Sequence, residues 1–142
     1  MKTLLDTNVL SELLRAIPNP TVLAWMSAQP AHSLGVSVVT QAEMMLGARL
    51  LPLGRRRHTL EQALRAMFSD DFAERIVPFD TSAVSHYVEI VTIRRRAGRP
   101  ISQFDAQIAA SALSQGMSLA TRNVSDFDGC GVALINPFTA GR

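Results

Sequence analysis

Short apolar runs alternate with helical patterns along the 142-residue chain, and this alternation restricts the fold strongly. The apolar runs are short, rich in β-branched residues and bounded by turn-forming residues, so they predict strands. Between them, apolar residues recur at spacings of three and four, which is typical of amphipathic helices. Because the strands alternate with helices, the pattern predicts an α/β fold with a mostly parallel sheet covered on both faces.

The predicted strands cover residues 3–5, 33–39, 76–79, 118–121 and 132–135. The predicted helices begin near residue 9 and then cover residues 21–28, 40–50, 56–69, 81–97 and 102–115. Residues 122–131 are predicted to form a polar loop. The chain is long enough to bury a core of its own, and it carries no repeat or linker, so we expect a single domain over residues 1–142.

The composition is that of a folded globule, with 47% hydrophobic and 18% charged residues. No apolar run is long enough to span a membrane, and the one lysine before Asp6 does not begin the basic-then-apolar plan of a signal peptide. The single cysteine, Cys130, cannot form an internal disulfide, which fits a reducing compartment. We therefore expect a cytoplasmic protein without membrane association.

Arginine supplies thirteen of the fourteen basic residues, although the net charge is only +2. Most are concentrated in two blocks, residues 55–57 and residues 94–96 with Arg99. Guanidinium groups suit phosphates, and like-charged blocks are typical of nucleic-acid surfaces. A solvated helix face explains either block equally well, and a GC-rich genome would explain the preference for arginine.

Four acidic residues occur where predicted elements meet. Asp6 and Asp126 each follow a predicted strand, and Glu43 comes soon after the second predicted strand. Asp105 lies at the start of a predicted helix. Each has an ordinary structural explanation: Asp6 caps a helix, and Glu43 completes a capping box with the threonine three residues before it. Asp105 interacts favourably with a helix dipole, and Asp126 is a turn residue.

Taken together, the four acids predict a metal site. Carboxyl ends of parallel strands meet at one edge of a sheet, where open α/β folds bind ligands. Crowded carboxylates repel one another and their pKa values rise unless a positive charge lies between them. Mg²⁺ or Mn²⁺ is the natural partner, because hard cations prefer oxygen ligands and retain water. Zinc is disfavoured because the single cysteine and the three histidines lack metal-ligand spacing.

The motifs around these acids, in chain order, are Asp6-Thr7-Asn8, Thr40-x-x-Glu43, Asp105-Ala106-x-Ile108-Ala109-Ala110 and Thr121-Arg122-Asn123-x-x-Asp126-Phe127. This ordered set, with the closing Asn136-Pro137-Phe138, resembles the PIN-domain family over nearly the whole chain. The resemblance is strongest to its bacterial toxin branch, the VapC-like (FitB-like) ribonucleases of type II toxin–antitoxin pairs. It implies a three-layer α/β/α sandwich around a parallel sheet and Mg²⁺- or Mn²⁺-dependent cleavage of RNA phosphodiester bonds.

The resemblance also implies roles for particular residues. The positions that match the family's metal-site and catalytic acids are Asp6, Glu43, Asp105 and, at the more variable fourth position, Asp126. Asp128, in the same loop, is the other candidate for the fourth acid. The residues that would support the site by hydrogen bonds are Thr7, Asn8 and Asn123. The implied partners are an RNA substrate, a small antitoxin protein and a second copy of the chain, with DNA bound only through the antitoxin complex.

Two other functions fit the same residues. One is a catalytically weak PIN-fold binding module that acts through an antitoxin/DNA complex. The other is a phosphatase with an aspartate nucleophile after the first strand. Such phosphatases need a second acid two residues later, where this chain has Asn8, so the sequence favours the nuclease.

Overall fold

The computed structural model describes residues 1–140, which form five strands and six α-helices. The strands are β1 (Thr3–Leu5), β2 (Leu34–Ser37), β3 (Ile76–Val77), β4 (Ser118–Ala120) and β5 (Leu134–Ile135). The helices are α1 (Thr7–Leu13), α2 (Pro20–Ala28), α3 (Val38–Arg49), α4 (Arg55–Ala66), α5 (Thr81–Arg96) and α6 (Gln103–Ser114). Within this range, no helix has the length and apolar character needed to cross a bilayer.

The sheet is wholly parallel, with the strand order β3-β2-β1-β4-β5. The chain adds β2 and β3 on one side of β1, then crosses through α5 and α6 to add β4 and β5 on the other side. The carboxyl ends of β1 and β4 are therefore neighbours at the point where the strand order reverses. A crevice at such a point is where open α/β sheets bind ligands.

Two hydrophobic cores lie on opposite faces of the sheet, because successive residues of a strand point to opposite faces. Leu4 packs in one core with Ile90 of α5 and Ile108 of α6. Leu5 packs in the other core with Leu10 of α1 and Leu64 of α4. The result is a three-layer α/β/α sandwich, which confirms the predicted fold class.

The start of α3 differs from the prediction. The helix begins at Val38 and not at Thr40, because the Ser37 hydroxyl caps it by accepting a hydrogen bond from the Val39 amide at 3.0 Å. Val38 and Val39 had favoured an extended strand through their β-branched side chains, but the serine cap ends the strand first. The capping-box explanation of Glu43 is therefore wrong, since Glu43 lies in the second turn of α3.

Two further features shape the loops next to these elements. The predicted loop 122–131 contains a turn of 3₁₀ helix, Val124–Phe127, whose last side chain is buried with 1% exposure. This aromatic anchor gives the loop a defined shape. Helix α5 begins at Thr81, as predicted, and Asp80 caps it, because the Asp80 carboxylate accepts a hydrogen bond from the Ser82 amide at 3.1 Å.

Candidate active site

A cleft of about 520 Å³ opens at the carboxyl edge of the sheet, beside the neighbouring ends of β1 and β4. The residues that line it are Asp6, Thr7, Asn8, Ser11, Glu12, Arg15, Glu43, Asp105, Arg122, Asn123, Asp126 and Phe127. All seven residues predicted for the site from the sequence are in this set. The volume lies in the range of roughly 300–1,000 Å³ that is usual for ligand sites.

Asp6 lies at the base of the cleft, where β1 ends and α1 begins. Its side chain is only 4% exposed, and each oxygen accepts hydrogen bonds. Oδ1 accepts from the Thr7 amide at 2.8 Å, and Oδ2 accepts from the Thr121 hydroxyl at 2.8 Å and the Asn8 amide at 3.2 Å. Asp6 therefore caps α1, as one explanation predicted, and it also faces the cleft. The two roles are compatible because capping occupies only one oxygen.

A polar network joins the start of α1 to the segment after β4. Asn8 Oδ1 accepts a hydrogen bond from the Arg122 amide at 3.1 Å. The Thr121 hydroxyl accepts another from the Asn123 amide at 3.1 Å. Asn8 thus acts through its side chain and Asn123 through its backbone. The network fixes the position of the Asp6 carboxylate relative to the loop that carries Asp126.

Glu43 reaches the cleft from α3. Its Oε1 accepts a hydrogen bond from the Thr7 hydroxyl at 3.0 Å, and that hydroxyl also lies 3.1 Å from the Thr40 hydroxyl. Thr7 therefore contacts the glutamate directly while its backbone amide contacts Asp6. A single residue of α1 orients acids from two separate elements.

Asp105 lies in the first turn of α6 and lines the same cleft. The Ser102 hydroxyl caps this helix by accepting a hydrogen bond from the Asp105 amide at 3.1 Å. Asp126 enters from the 3₁₀ turn after β4 and lines the cleft with the other three acids. Asp128 instead accepts a hydrogen bond from Arg99 at 3.2 Å and is not part of the lining. Of the two candidates for the fourth acid, Asp126 is the one that faces the cleft.

The carboxylates lie close enough to affect one another's ionisation. The pKa of Asp6 is raised from 3.8 to about 6, chiefly by burial. Hydrogen bonds from Thr121 and Thr7 lower it, while the negative charges of Asp105 and Glu43 raise it further. Burial also raises the pKa values of Glu43 and Asp105, and Asp105 adds to the increase at Glu43. Perturbed carboxyl groups gathered in a cleft are typical of functional sites.

The donors in the cleft suit a hard cation. The lining residues include five carboxylates and two arginines, and neither histidine nor cysteine is among them. In the part of the chain that the structure describes, no three acidic, histidine or cysteine side chains are arranged so that they could enclose a metal ion as they stand. Mg²⁺ is usually held by one or two carboxylates and completes its shell with water. An open set of oxygen donors is therefore compatible with Mg²⁺ or Mn²⁺.

Five of the lining residues and Thr121 were not among the predicted site residues; the five are Ser11, Glu12, Arg15, Arg122 and Phe127. Thr121 was quoted only as part of a motif, but its position as a polar residue after a buried strand was a usable signal. Glu12 is 5% exposed and accepts hydrogen bonds from Arg15 at 3.2 Å and from the backbone of Asn19 at 3.0 Å. Glu12 lies four positions after Asn8 in α1, a spacing that places both on one face of the helix and could have identified Glu12, whereas Arg15 lies beyond the end of α1.

The two arginine blocks have different surroundings. Arg55 and Arg56 are exposed and line a groove of about 740 Å³ that shares Ser11 and Arg15 with the cleft. This block is therefore next to the acidic site. Arg94 is buried with 7% exposure and donates hydrogen bonds to backbone carbonyls, so neither a solvated face nor a nucleic-acid surface describes it.

Comparison with known proteins identifies the family. The PIN domain model matches residues 3–128. The VapC ribonuclease Y4jK of Sinorhizobium fredii is 38% identical over 134 residues, covering 94% of this chain and 96% of the relative. Toxin FitB of Neisseria gonorrhoeae is 37% identical over 135 residues, covering 95% of this chain and 97% of the relative.

Solved structures agree with this assignment. The structure of FitAB bound to an IR36 DNA fragment matches with a TM-score of 0.91 and 36% identity, covering 99% of this chain and 98% of that one. A toxin–antitoxin complex from Klebsiella pneumoniae matches with a TM-score of 0.70 and 26% identity, covering 96% and 98%. The chain therefore belongs to the PIN-domain family and is similar to its VapC and FitB members.

Proposed function

We propose that the protein is a metal-dependent endoribonuclease, the toxin component of a toxin–antitoxin system, built as a single nuclease domain over residues 1–142. The observation that carries the proposal is the convergence of Asp6, Glu43, Asp105 and Asp126, from four separate segments, on one cleft. The similarity to a VapC ribonuclease and to toxin FitB supports it. Because the proposed substrate is RNA, we also propose a cytoplasmic location.

The residues that would hold Mg²⁺ or Mn²⁺ are Asp6, Glu43, Asp105 and Asp126. The chemistry that such an ion supplies when bound is activation of a water molecule and neutralisation of phosphate charge. The raised pKa values of Asp6, Glu43 and Asp105 support this role, because a cation relieves the desolvation and repulsion that raise them. The resemblance to PIN-domain ribonucleases implies that phosphodiester hydrolysis would leave a 5′-phosphate and a 3′-hydroxyl.

Residues of the chain itself would prepare the site before RNA binds. Thr7 fixes Asp6 and Glu43 relative to each other, and the Thr121 hydroxyl holds the second oxygen of Asp6. Preorganised carboxylates need no rearrangement at the moment of reaction. Asn8 ties this arrangement to the loop after β4 through the backbone of Arg122.

Positive charge for RNA binding would come from the rim of the same cleft. Arg15 and Arg122 line it, and the adjoining groove carries Arg55 and Arg56. The Arg122 guanidinium lies 4.7 Å from the ring centre of Phe138, which orients its planar fork. We propose that these arginines bind phosphates of single-stranded RNA, whose bases are accessible to proteins.

The test is cleavage of RNA by purified variants in Mg²⁺ or Mn²⁺. We expect Asp6→Asn and Asp105→Asn each to lose more than about 100-fold in activity. Substituting a residue that only hydrogen-bonds to a metal ligand already costs about 10- to 100-fold in metal affinity or activity. Full activity in both variants would refute the proposal. Asp126→Asn and Asp128→Asn form a matched pair from one loop. Only the first should lose activity, since the second carboxylate is bonded to Arg99 outside the cleft.

We further propose that the protein pairs with itself and with a small antitoxin, and that it contacts DNA only through the antitoxin complex. The solved FitAB–DNA structure and the toxin–antitoxin complex support the antitoxin and DNA parts of this proposal, while pairing with a second copy rests on the resemblance alone. Copurification with a small protein encoded next to this chain, followed by a gel-shift assay on promoter DNA, tests it. The protein alone should not shift the DNA, whereas the copurified complex should.

A catalytically weak binding module is the second candidate. The observation that favours it is the absence, within residues 1–140, of three potential ligand side chains arranged to enclose an ion as they stand. Isothermal titration of the purified protein with Mn²⁺ separates the two functions. Binding that Asp105→Asn weakens supports the nuclease, and no binding supports the module.

A further inference from the structure

A buried arginine in the last turn of α5 has no role in the function proposed so far. Arg94 is 7% exposed, whereas its neighbours Arg95 and Arg96 face the solvent. Burying a guanidinium group is costly unless its donors are satisfied, because the group is always charged. The contacts of Arg94 therefore indicate what it is placed to do.

The guanidinium of Arg94 donates to two separate stretches of backbone. Nε donates to the Arg99 carbonyl at 2.6 Å, and Nη1 donates to the carbonyls of Asp126 at 2.7 Å and Asp128 at 3.1 Å. Nη1 also lies 3.8 Å from the sulfur of Cys130. One side of the guanidinium thus contacts the segment after α5, and the other contacts the loop after β4.

These two stretches carry two of the four acids. The segment that contains Arg99 leads directly into α6 and Asp105, while Asp126 is itself a contact of Arg94. A second link between the stretches is the ion pair of Arg99 with Asp128 at 3.2 Å, but both of these side chains are more than half exposed. Exposed ion pairs contribute little, so the buried guanidinium is the stronger connection.

We propose that Arg94 is a positioning residue of the nuclease site, whose guanidinium sets the placement of Asp126 relative to Asp105. This inference rests on the proposed function. Arginine suits the task because its donors form a rigid planar fork that can bond acceptors on two sides at once. A lysine has one flexible ammonium and cannot hold both stretches in the same way.

The test compares Arg94→Lys with the control Arg95→Lys, which alters an exposed residue one position away. We expect Arg94→Lys to keep its fold by circular dichroism and to lose about 10- to 100-fold in kcat, as displaced catalytic groups do. KM for RNA should stay within about twofold, because Arg94 does not line the cleft. The control should retain the kcat of the unaltered protein.

A double-mutant cycle with Asp126→Asn separates positioning from general destabilisation. If Arg94 acts through Asp126, Arg94→Lys should cause less than about a twofold further loss of kcat in the Asp126→Asn background. The proposal would be overturned if the kcat losses of the two single variants multiplied in the double variant. It would also be overturned if Arg94→Lys kept an unchanged kcat or unfolded globally.

Hydrogen–deuterium exchange gives a readout that does not depend on activity. Amides of residues 97–102 and 122–130 should exchange faster in Arg94→Lys, and the rest of the chain should not. No local change would refute the connection itself. Failure of the proposed nuclease function would look different from failure of the Arg94 proposal, because the protein without any substitution would then not cleave RNA.

Discussion

Replacing Asp6 by asparagine should stabilise the metal-free protein at neutral pH, although it removes a residue proposed for catalysis. Burial raises the Asp6 pKa from 3.8 to about 6 in the folded chain. At a pH between 3.8 and about 6, Asp6 keeps its proton in the folded chain but has released it in the unfolded chain. The free energy of unfolding therefore falls as pH rises from about 4 to about 6. At 1.36 kcal/mol per pKa unit, the penalty above pH 6 is about 3 kcal/mol.

The substitution removes this penalty but also loses hydrogen bonds. Asparagine keeps the oxygen that accepts from the Thr7 amide, while its new amide group cannot accept from Thr121 and Asn8 as Oδ2 does. The lost bonds cost about 1–2 kcal/mol in total. Asp6→Asn should therefore be less stable than the unaltered protein near pH 4 and more stable by about 1–2 kcal/mol above pH 6.

Urea unfolding in EDTA, monitored by circular dichroism at intervals between pH 4 and pH 8, measures the free energy of unfolding of Asp6→Asn and of the unaltered protein. The difference in free energy of unfolding between the two proteins should change by about 3 kcal/mol from pH 4 to pH 8. Asp71→Asn is the control, because Asp71 is exposed and its substitution should change stability by less than about 0.5 kcal/mol. A difference that stays constant from pH 4 to pH 8 would show that Asp6 is not held in a desolvated, repulsive site.

Three further substitutions test the packing and charge around the cleft. Ser102→Ala removes the cap of α6 and should lower the free energy of unfolding in urea by about 1 kcal/mol. NMR titration should also show a higher pKa for Asp105 in this variant, because burial raises that pKa and the Ser102 hydroxyl lowers it. Phe127→Ala leaves a cavity beneath the loop after β4 and should cost about 3–5 kcal/mol, so a loss under 1 kcal/mol would contradict its role as an anchor. Arg122→Ala should weaken RNA binding and reduce the slope of log K against log salt by about 0.7, measured by fluorescence anisotropy, whereas an unchanged slope would exclude a phosphate contact.

The order of elements and the edge that holds the site follow from local sequence patterns. The alternation of strand and helix predicted a parallel sheet, and the adjacent leucines Leu4 and Leu5 do face opposite cores. The acids at strand exits could be expected at one edge, because parallel strands end there together. Such inferences succeed because they depend on residues within a few positions of one another.

The contacts that complete the cleft depend on residues far apart in the chain. Thr121 bonds Asp6 across 115 positions, and Arg94 bonds the backbone of Asp126 across 32. The resemblance favoured Asp126 over Asp128 as the fourth acid, and the structure adds that Asp126, in the turn anchored by Phe127, lines the cleft whereas Asp128 does not. Burial likewise made Arg94 different from Arg95, because the exposure of a side chain is set by which distant segments pack over it.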